Sequence, residues 1–392
     1  MKLAVGMRWI VAALLAALPP LVLAGCSARP PAALLKPAER APQFTPKARM
    51  LVATTRDHMR HGDTDAFGAE RSEMLNFSDV TVSIPTHHKV GEIEWPNQTP
   101  PDPAYHFITT ARSSLDRAGF LSAVRSATRN PGPEHDEVLV FVHGYNTLYH
   151  EAVYRFAQII HDTGFTGTAI LFAWPSRGST AHYVADREAS TYSRDYLERL
   201  LIDLAALREV RQINILAHSM GTWPVIEALR QARIAGHGDF SGKLSEVILA
   251  APDIDVGVFR TELDTIGRLP RPMTVLVSRD DNALALARTL GGGIDRVGSA
   301  NLDDPRVVAA VRHYNLRVVD ITKVTGLDST NHAKFAQSSV LTKAIGHGIA
   351  HDNKAGLLSQ GGVIQAVTDV GQSIIKVPST ILGLPPVEIS GQ

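Results

Sequence analysis

The chain has 392 residues, 44% of them hydrophobic and 20% charged, the balance of a globular protein rather than a disordered one. Its 39 Lys and Arg equal its 39 Asp and Glu, so no net field favours nucleic acid or an acidic surface. A single cysteine, Cys26, excludes an intrachain disulfide and any Cys-based zinc site.

Residues 1–25 have the layout of an export signal. Lys2 and Arg8 supply positive charge, and Val11 to Leu18 an apolar stretch too short for a comfortable membrane span. Leu23-Ala24-Gly25-Cys26 resembles the lipobox of bacterial lipoproteins, whose cysteine is lipidated and becomes the new N-terminus. The resemblance implies a lipid-anchored protein of the bacterial cell envelope, since several acyl chains on one cysteine anchor stably where one binds marginally. Ser27, in place of Asp, points by analogy with enteric lipoproteins to the outer membrane, facing the periplasm. Residues 26–47, with Pro30, Pro31, Pro37, Pro42 and Pro46, read as a semi-extended tether rising roughly 3.1 Å per residue.

From residue 48 to about 345, apolar runs alternate with helical patterns. Met50–Thr55 and Val80–Ile84 read as strands, and 113–129 as a helix stopped by Pro131-Gly132-Pro133. Val138–Val142 is continuously apolar, as expected of a strand buried on both faces. Residues 149–163 form a helical pattern through Val153, Phe156, Ala157 and Ile160, with Gly164 placed to end it. Ala169–Ala173 is a strand, and 187–208 one long helix with Leu197, Leu200, Leu201 and Leu204 on one face. Ile213–Leu216, Val247–Ala250, Thr274–Val277 and Leu316–Asp320 are further strands. The alternation predicts an α/β fold: a mainly parallel sheet with helices on both faces. Residues 346–392 are glycine-rich, with mildly amphipathic pieces such as Val363 to Ile375, and read as a peripheral extension.

The chemistry centres on Ala217-His218-Ser219-Met220-Gly221, between an apolar strand and a helical pattern. That order describes a nucleophile elbow, with small residues two positions either side of the serine. A serine hydroxyl needs a base, a group to orient the base, and donors for the oxyanion. The His143-Gly144-Tyr145-Asn146 loop after an earlier strand suits the donors, which we expect to be the amides of Tyr145 and Met220, with His143 bracing the loop. The base is expected late in the chain. His332 lies in a polar loop after the Leu316 strand, whereas His313 precedes that strand and His347 and His351 fall in the extension. For the acid, Asp281 is favoured, with Asp253 and Asp280 as alternatives on loops at the ligand-binding end of the sheet.

His143-Gly144-Tyr145-Asn146, Trp174-Pro175-Ser176-Arg177-Gly178, Ala217-His218-Ser219-Met220-Gly221, Ala251-Pro252-Asp253 and Asp281-Asn282-Ala283-Leu284, in that order, resemble a bacterial α/β-hydrolase family of largely uncharacterised function, described as esterase/lipase-like. The resemblance covers roughly residues 48–345. It implies the α/β-hydrolase fold and supports Ser219, Asp281 and His332 as a triad, without bringing a substrate. Trp174 to Arg177 are expected to border the pocket, and Ser176, with no elbow helix behind it, is not expected to be a nucleophile. His58, His61, His87 and His88 lack paired carboxylates at ligand spacing and read as solvated loop histidines rather than metal ligands. No phosphate-cradling glycine loop and no basic, aromatic-laced nucleic-acid surface is present. The expectation is a serine hydrolase needing no cofactor, acting on a small-molecule or lipid ester. A peptidase or amidase with the same triad, and a non-catalytic envelope lipoprotein on a hydrolase scaffold, are the alternatives.

Overall fold

The computed structural model describes residues 29–40, 42–59, 66–129, 135–350, 362–369 and 372–376. The signal segment, Cys26, His61, the Pro131-Gly132-Pro133 break and His351 lie outside the described residues, as does the side chain of His347. The strands are β1 (Lys47–His58), β2 (Phe67–Ser83), β3 (Ile108–Leu115), β4 (Glu137–Val142), β5 (Thr168–Ala173), β6 (Gln212–His218), β7 (Leu244–Ala250), β8 (Met273–Val277), β9 (Leu316–Asp320), β10 (Gly362–Asp369) and β11 (Gln372–Lys376). They form one sheet in the order β11-β10-β9-β8-β7-β6-β4-β5-β1-β2-β3. Every pairing from β1 through to β10 is parallel, and only β1–β2, β2–β3 and β10–β11 are antiparallel. The mainly parallel sheet expected from the sequence is what the chain forms.

The helices are α1 (Arg117–Thr128), α2 (Tyr149–Thr163), α3 (Tyr183–Tyr192), α4 (Arg194–Ala206), α5 (Thr222–Ile234), α6 (Val256–Ile266), α7 (Asn282–Leu290), α8 (Pro305–His313), α9 (Lys334–Gln337) and α10 (Ser339–Ala350). They cover both faces because the central strands are apolar on both. On β4, Val138, Val140 and Val142 enter one core and Leu139 and Phe141 the other. The first core is closed by α1 and α3 to α8, and the second by α2, α9 and α10. Gly164 ends α2 in the left-handed conformation its position predicts, at φ 69°.

Four boundaries differ from the sequence expectation, each for a physical reason. The region read as a helix over 113–129 begins with the end of β3, an edge strand whose burial pattern is mixed. The helix read over 187–208 is two, α3 and α4, broken at Ser193. There the hydroxyl bonds back to the Ala189 carbonyl at 2.8 Å and meets Thr55 Oγ1 of β1 at 2.7 Å. Residues 32–47, read as part of the proline-rich tether, belong to the compact unit that begins at Ala32. Residues Ala32–Leu35 form a 3-10 turn, and Leu35, 1% exposed, enters the second core. The Leu34 carbonyl accepts from the Tyr154 hydroxyl, and the Ala38 amide donates to Thr109. The other unit, Met1–Pro31, contributes only residues 29–31 to the described residues. Finally, part of the C-terminal extension is built into the sheet, with β10 parallel to β9 and β11 antiparallel to β10.

Candidate active site

β6 delivers the serine. It ends in extended backbone at His218, and Ser219 turns into the left-handed region at φ 52°. That conformation costs a non-glycine residue of order 1–3 kcal/mol, so its surroundings must hold it. Thr222 Oγ1 donates to the Ser219 carbonyl at 2.6 Å, and the Asp253 amide donates to the same oxygen at 3.3 Å. A 3-10 turn, Ser219–Gly221, leads into α5, so the Met220 amide is one of the first-turn donors that a helix start leaves unpaired. Gly221 lets this turn press against the end of β4. A Cβ there would lie 2.2 Å from the His143 carbonyl oxygen and 2.7 Å from that of Val142. Gly144 faces the turn from the other side, where a Cβ would lie 2.9 Å from Ser219 Cβ.

Asp281 and His332 meet above the ends of β8 and β9. Asp281 is the N-cap of α7: its Oδ1 accepts from the Leu284 amide at 2.9 Å, and its buried Oδ2 faces His332 Nδ1 at 2.7 Å. The Asn282 amide donates to the Thr330 carbonyl, stitching the start of α7 to the histidine loop. Asp328 shapes that loop by accepting from the amides of Thr330, His332 and Ala333. His332 reaches the elbow through His218, the residue before the serine. Their ring centroids are 4.6 Å apart, and His218 Nε2 donates to the His332 carbonyl at 3.3 Å. Burial, then the proximity of His332, holds His218 neutral, with its pKa well below the usual histidine range. No hydrogen bond joins Ser219 Oγ to His332 among the described residues; such contacts commonly tighten only when substrate binds.

The two alternative acids are engaged elsewhere. Asp253 is buried, accepts from the Tyr183 hydroxyl at 2.9 and 3.2 Å, and lies 3.3 Å from Arg296 Nε. Burial outweighs Arg296 and pushes its carboxyl up to about 6. Asp280 takes the ammonium of buried Lys334 on both oxygens, at 2.7 and 2.8 Å, with Ser278 and Asn331 as further donors. Although burial opposes it, that bonding holds Asp280 below the usual carboxylate range. Of the three candidates, Asp281 is the one that faces His332.

The loop from His143 to Thr147 sits on a buried polar platform. His143 is stacked on Trp174, 5.0 Å between ring centroids, and its ring nitrogens face the carbonyls of Gly144 and Trp174. Burial, then the Arg56 guanidinium, pushes its pKa down to about 3, so it braces the loop as a neutral ring, as expected. The Tyr145 amide has no protein acceptor among the described residues. Below it Asp186, fully buried, accepts from Ser176 Oγ at 2.6 Å and the Arg177 amide at 2.8 Å. Ser176 Oγ accepts in turn from the Thr147 amide at 3.0 Å. Arg56, also fully buried, donates to the carbonyls of Gly68, Ser176 and Thr147. Ser176 is therefore a buried brace and not a pocket-rim residue. Arg56, Asp186 and Lys334 went unread in the sequence; an arginine directly after the apolar run Met50–Thr55 is the one local signal that a buried cation was present.

Of the histidines read as solvated, His87 is exposed and stacks on Tyr105. His88 departs from the expectation, with a side chain only 3% exposed and ring nitrogens facing Glu94 and Asp162.

Residues 126–347 match the family described as "Alpha/beta hydrolase of unknown function (DUF900)". No curated protein matches the chain. Among solved structures, lipase B of Aspergillus fumigatus is similar at 14% identity and a TM-score of 0.37, over 71% of this chain and 64% of that one.

Proposed function

The chain belongs to the alpha/beta-hydrolase family of unknown function DUF900, and from that premise we propose that it is a serine hydrolase cleaving carboxylic esters of small molecules or lipids. Ser219 is the nucleophile, His332 the base and Asp281 the group that orients the base. The observation that carries the proposal is the 2.7 Å contact between His332 Nδ1 and buried Asp281, beside a serine held at positive φ between a strand and a helix. Asp281 at Nδ1 fixes the imidazole tautomer whose Nε2 accepts the Ser219 proton. The alkoxide attacks the ester carbonyl, and the amides of Tyr145 and Met220 receive the oxyanion. Protonated His332 gives its proton to the leaving alcohol, and water then hydrolyses the acyl-enzyme by the same steps. The envelope location belongs to the same proposal and rests on the lipobox-like Leu23-Ala24-Gly25-Cys26. Loss of labelled palmitate incorporation in Cys26→Ser checks it.

A fluorophosphonate probe and a p-nitrophenyl ester series test the chemistry. The wild type should be labelled and turn over esters, and Ser219→Ala should do neither. Equal labelling of both proteins would remove Ser219 as the nucleophile. Turnover of peptide amides but not esters would move the substrate class to amides.

A further inference from the structure

We propose that His88, His161 and Asp162 form a binding site for one divalent metal ion of the zinc type, independent of Ser219 and its partners. The ligand atoms already converge. His88 Nε2 and His161 Nδ1 approach the same carboxylate oxygen, Asp162 Oδ1, at 2.9 and 3.0 Å, and all three atoms lie within 4.8 Å of one another. Ligand atoms around tetrahedral zinc stand about 3.3 Å apart, given bond lengths of about 2.0–2.1 Å, so the two nitrogen–oxygen contacts need only a few tenths of an ångström of expansion to take an ion between them. The two imidazoles cross at 87° with centroids 5.0 Å apart, so they converge edgewise rather than stack.

The atoms behind the ligands point the same way. Glu94 Oε2 accepts from His88 Nδ1 at 2.8 Å, so that when an ion displaces the Nε2 proton the ring is held in the tautomer that presents the Nε2 lone pair. The other Glu94 oxygen is held by the Lys89 amide. Asp162 Oδ2 takes the Gly91 amide at 2.7 Å and Gln158 Nε2 at 2.6 Å, leaving Oδ1 directed at the two rings. Carboxylate–histidine pairing and hydrogen-bonded ligating carboxylates are the usual outer shell of a zinc ion. Without an ion, one oxygen must serve two imidazoles; an ion takes both nitrogen lone pairs and the oxygen together. His161 is 33% exposed, which gives an entry path and leaves a fourth position for water.

The site joins distant parts of the chain. His88 and Glu94 lie between β2 and β3, and His161 and Asp162 in the last turn of α2. Gln158, which holds Asp162, also donates to the Ala336 carbonyl at 2.9 Å, four residues after His332. A bound ion would fasten all three segments.

The test uses full-length protein without a polyhistidine tag, stripped with chelator and titrated with Zn²⁺ by calorimetry and with Co²⁺ by visible absorption. The wild type should bind one equivalent, show tetrahedral Co²⁺ bands and melt higher with Zn²⁺ than without. His161→Ala, whose ring is partly exposed, should lose the stoichiometric binding and the bands while its metal-stripped melting point stays near that of the wild type. Glu94→Gln should bind roughly 10–100-fold more weakly. If His161→Ala misfolds, Asp162→Asn takes its place. Wild-type binding or Co²⁺ spectra indistinguishable from those of the ligand variant would overturn the site.

Discussion

At the residue scale, Asp281 has two duties on two oxygens. Oδ1 caps α7 and Oδ2, in the proposed mechanism, orients His332. The duties are separable, because asparagine caps a helix about as well as aspartate but does not hold the productive imidazole tautomer. Asp281→Asn should therefore lower kcat by about 10⁴-fold with little change in melting temperature. Asp281→Ala should lose the same activity and in addition about 1 kcal/mol of stability with the cap. Thermal melts beside ester kinetics distinguish the two, and an Asn variant of near wild-type rate would refute the orienting role. Asp280, its neighbour, supplies the contrast. Removing that carboxylate takes the counter-charge from the buried Lys334 ammonium, which keeps only the Ser278 hydroxyl and the Ile321 and Thr322 carbonyls, so its loss should show first as lower stability. Adjacent aspartates thus divide into one that serves the histidine and one that serves the lysine.

At the element scale, the elbow explains why the sequence departs from glycine before the serine but not after it. Ala217 faces the first core, where its methyl is buried among apolar side chains. Gly221 meets backbone carbonyls that cannot yield. Gly221→Ala should push α5 away from β4 and cost about 1–3 kcal/mol or more, together with activity. Ala217→Gly should cost only about 0.5–1 kcal/mol and keep it. Urea melts and ester rates on both variants check the asymmetry, which equal losses would contradict. Features of this local kind were legible in the sequence. Small residues around a serine, an aspartate in the loop after an apolar strand, and a histidine in a loop past the next strand each carry their signal within a few residues. What stayed hidden depends on contacts far apart in sequence. Arg56 bonds to Ser176 across 120 positions, and His88 to Asp162 across 74. The leucine stripe of α4 gave no hint of the break at Ser193, where one of the two hydroxyl contacts is to Thr55 on distant β1.

At the scale of the whole molecule, groups buried in unfavourable protonation states set how stability follows pH. His143, pushed down to about 3, and His218, also depressed, stay neutral in the fold and charge only on unfolding. Below the ordinary histidine pKa of about 6.5 the unfolded chain binds their protons and the native one does not, so these groups make stability fall as pH falls. Asp253 acts in the opposite sense. Its folded pKa of about 6 exceeds that of a free aspartate near 3.9, so between those values the native state holds the extra proton. Its contribution is present at low pH and is lost as pH rises toward 6. Each such proton tilts stability by about 1.4 kcal/mol per pH unit. The wild type should therefore lose stability from pH 6 to 4.5 less steeply than two buried histidines alone would cause. Asp253→Asn keeps an acceptor for Tyr183 but carries no titrating proton, so its stability should drop more steeply over that range, by up to about 1.4 kcal/mol per pH unit relative to wild type. In this window Asp253 is largely protonated and gives Arg296 little counter-charge in the wild type either, so asparagine, close in shape to the neutral carboxyl, should add only a small constant offset. Urea denaturation at pH 4.5, 5.0, 5.5 and 6.0 separates the offset from the slope. Parallel curves for the two proteins would mean that Asp253 is ionised throughout and that Arg296, not burial, governs its charge.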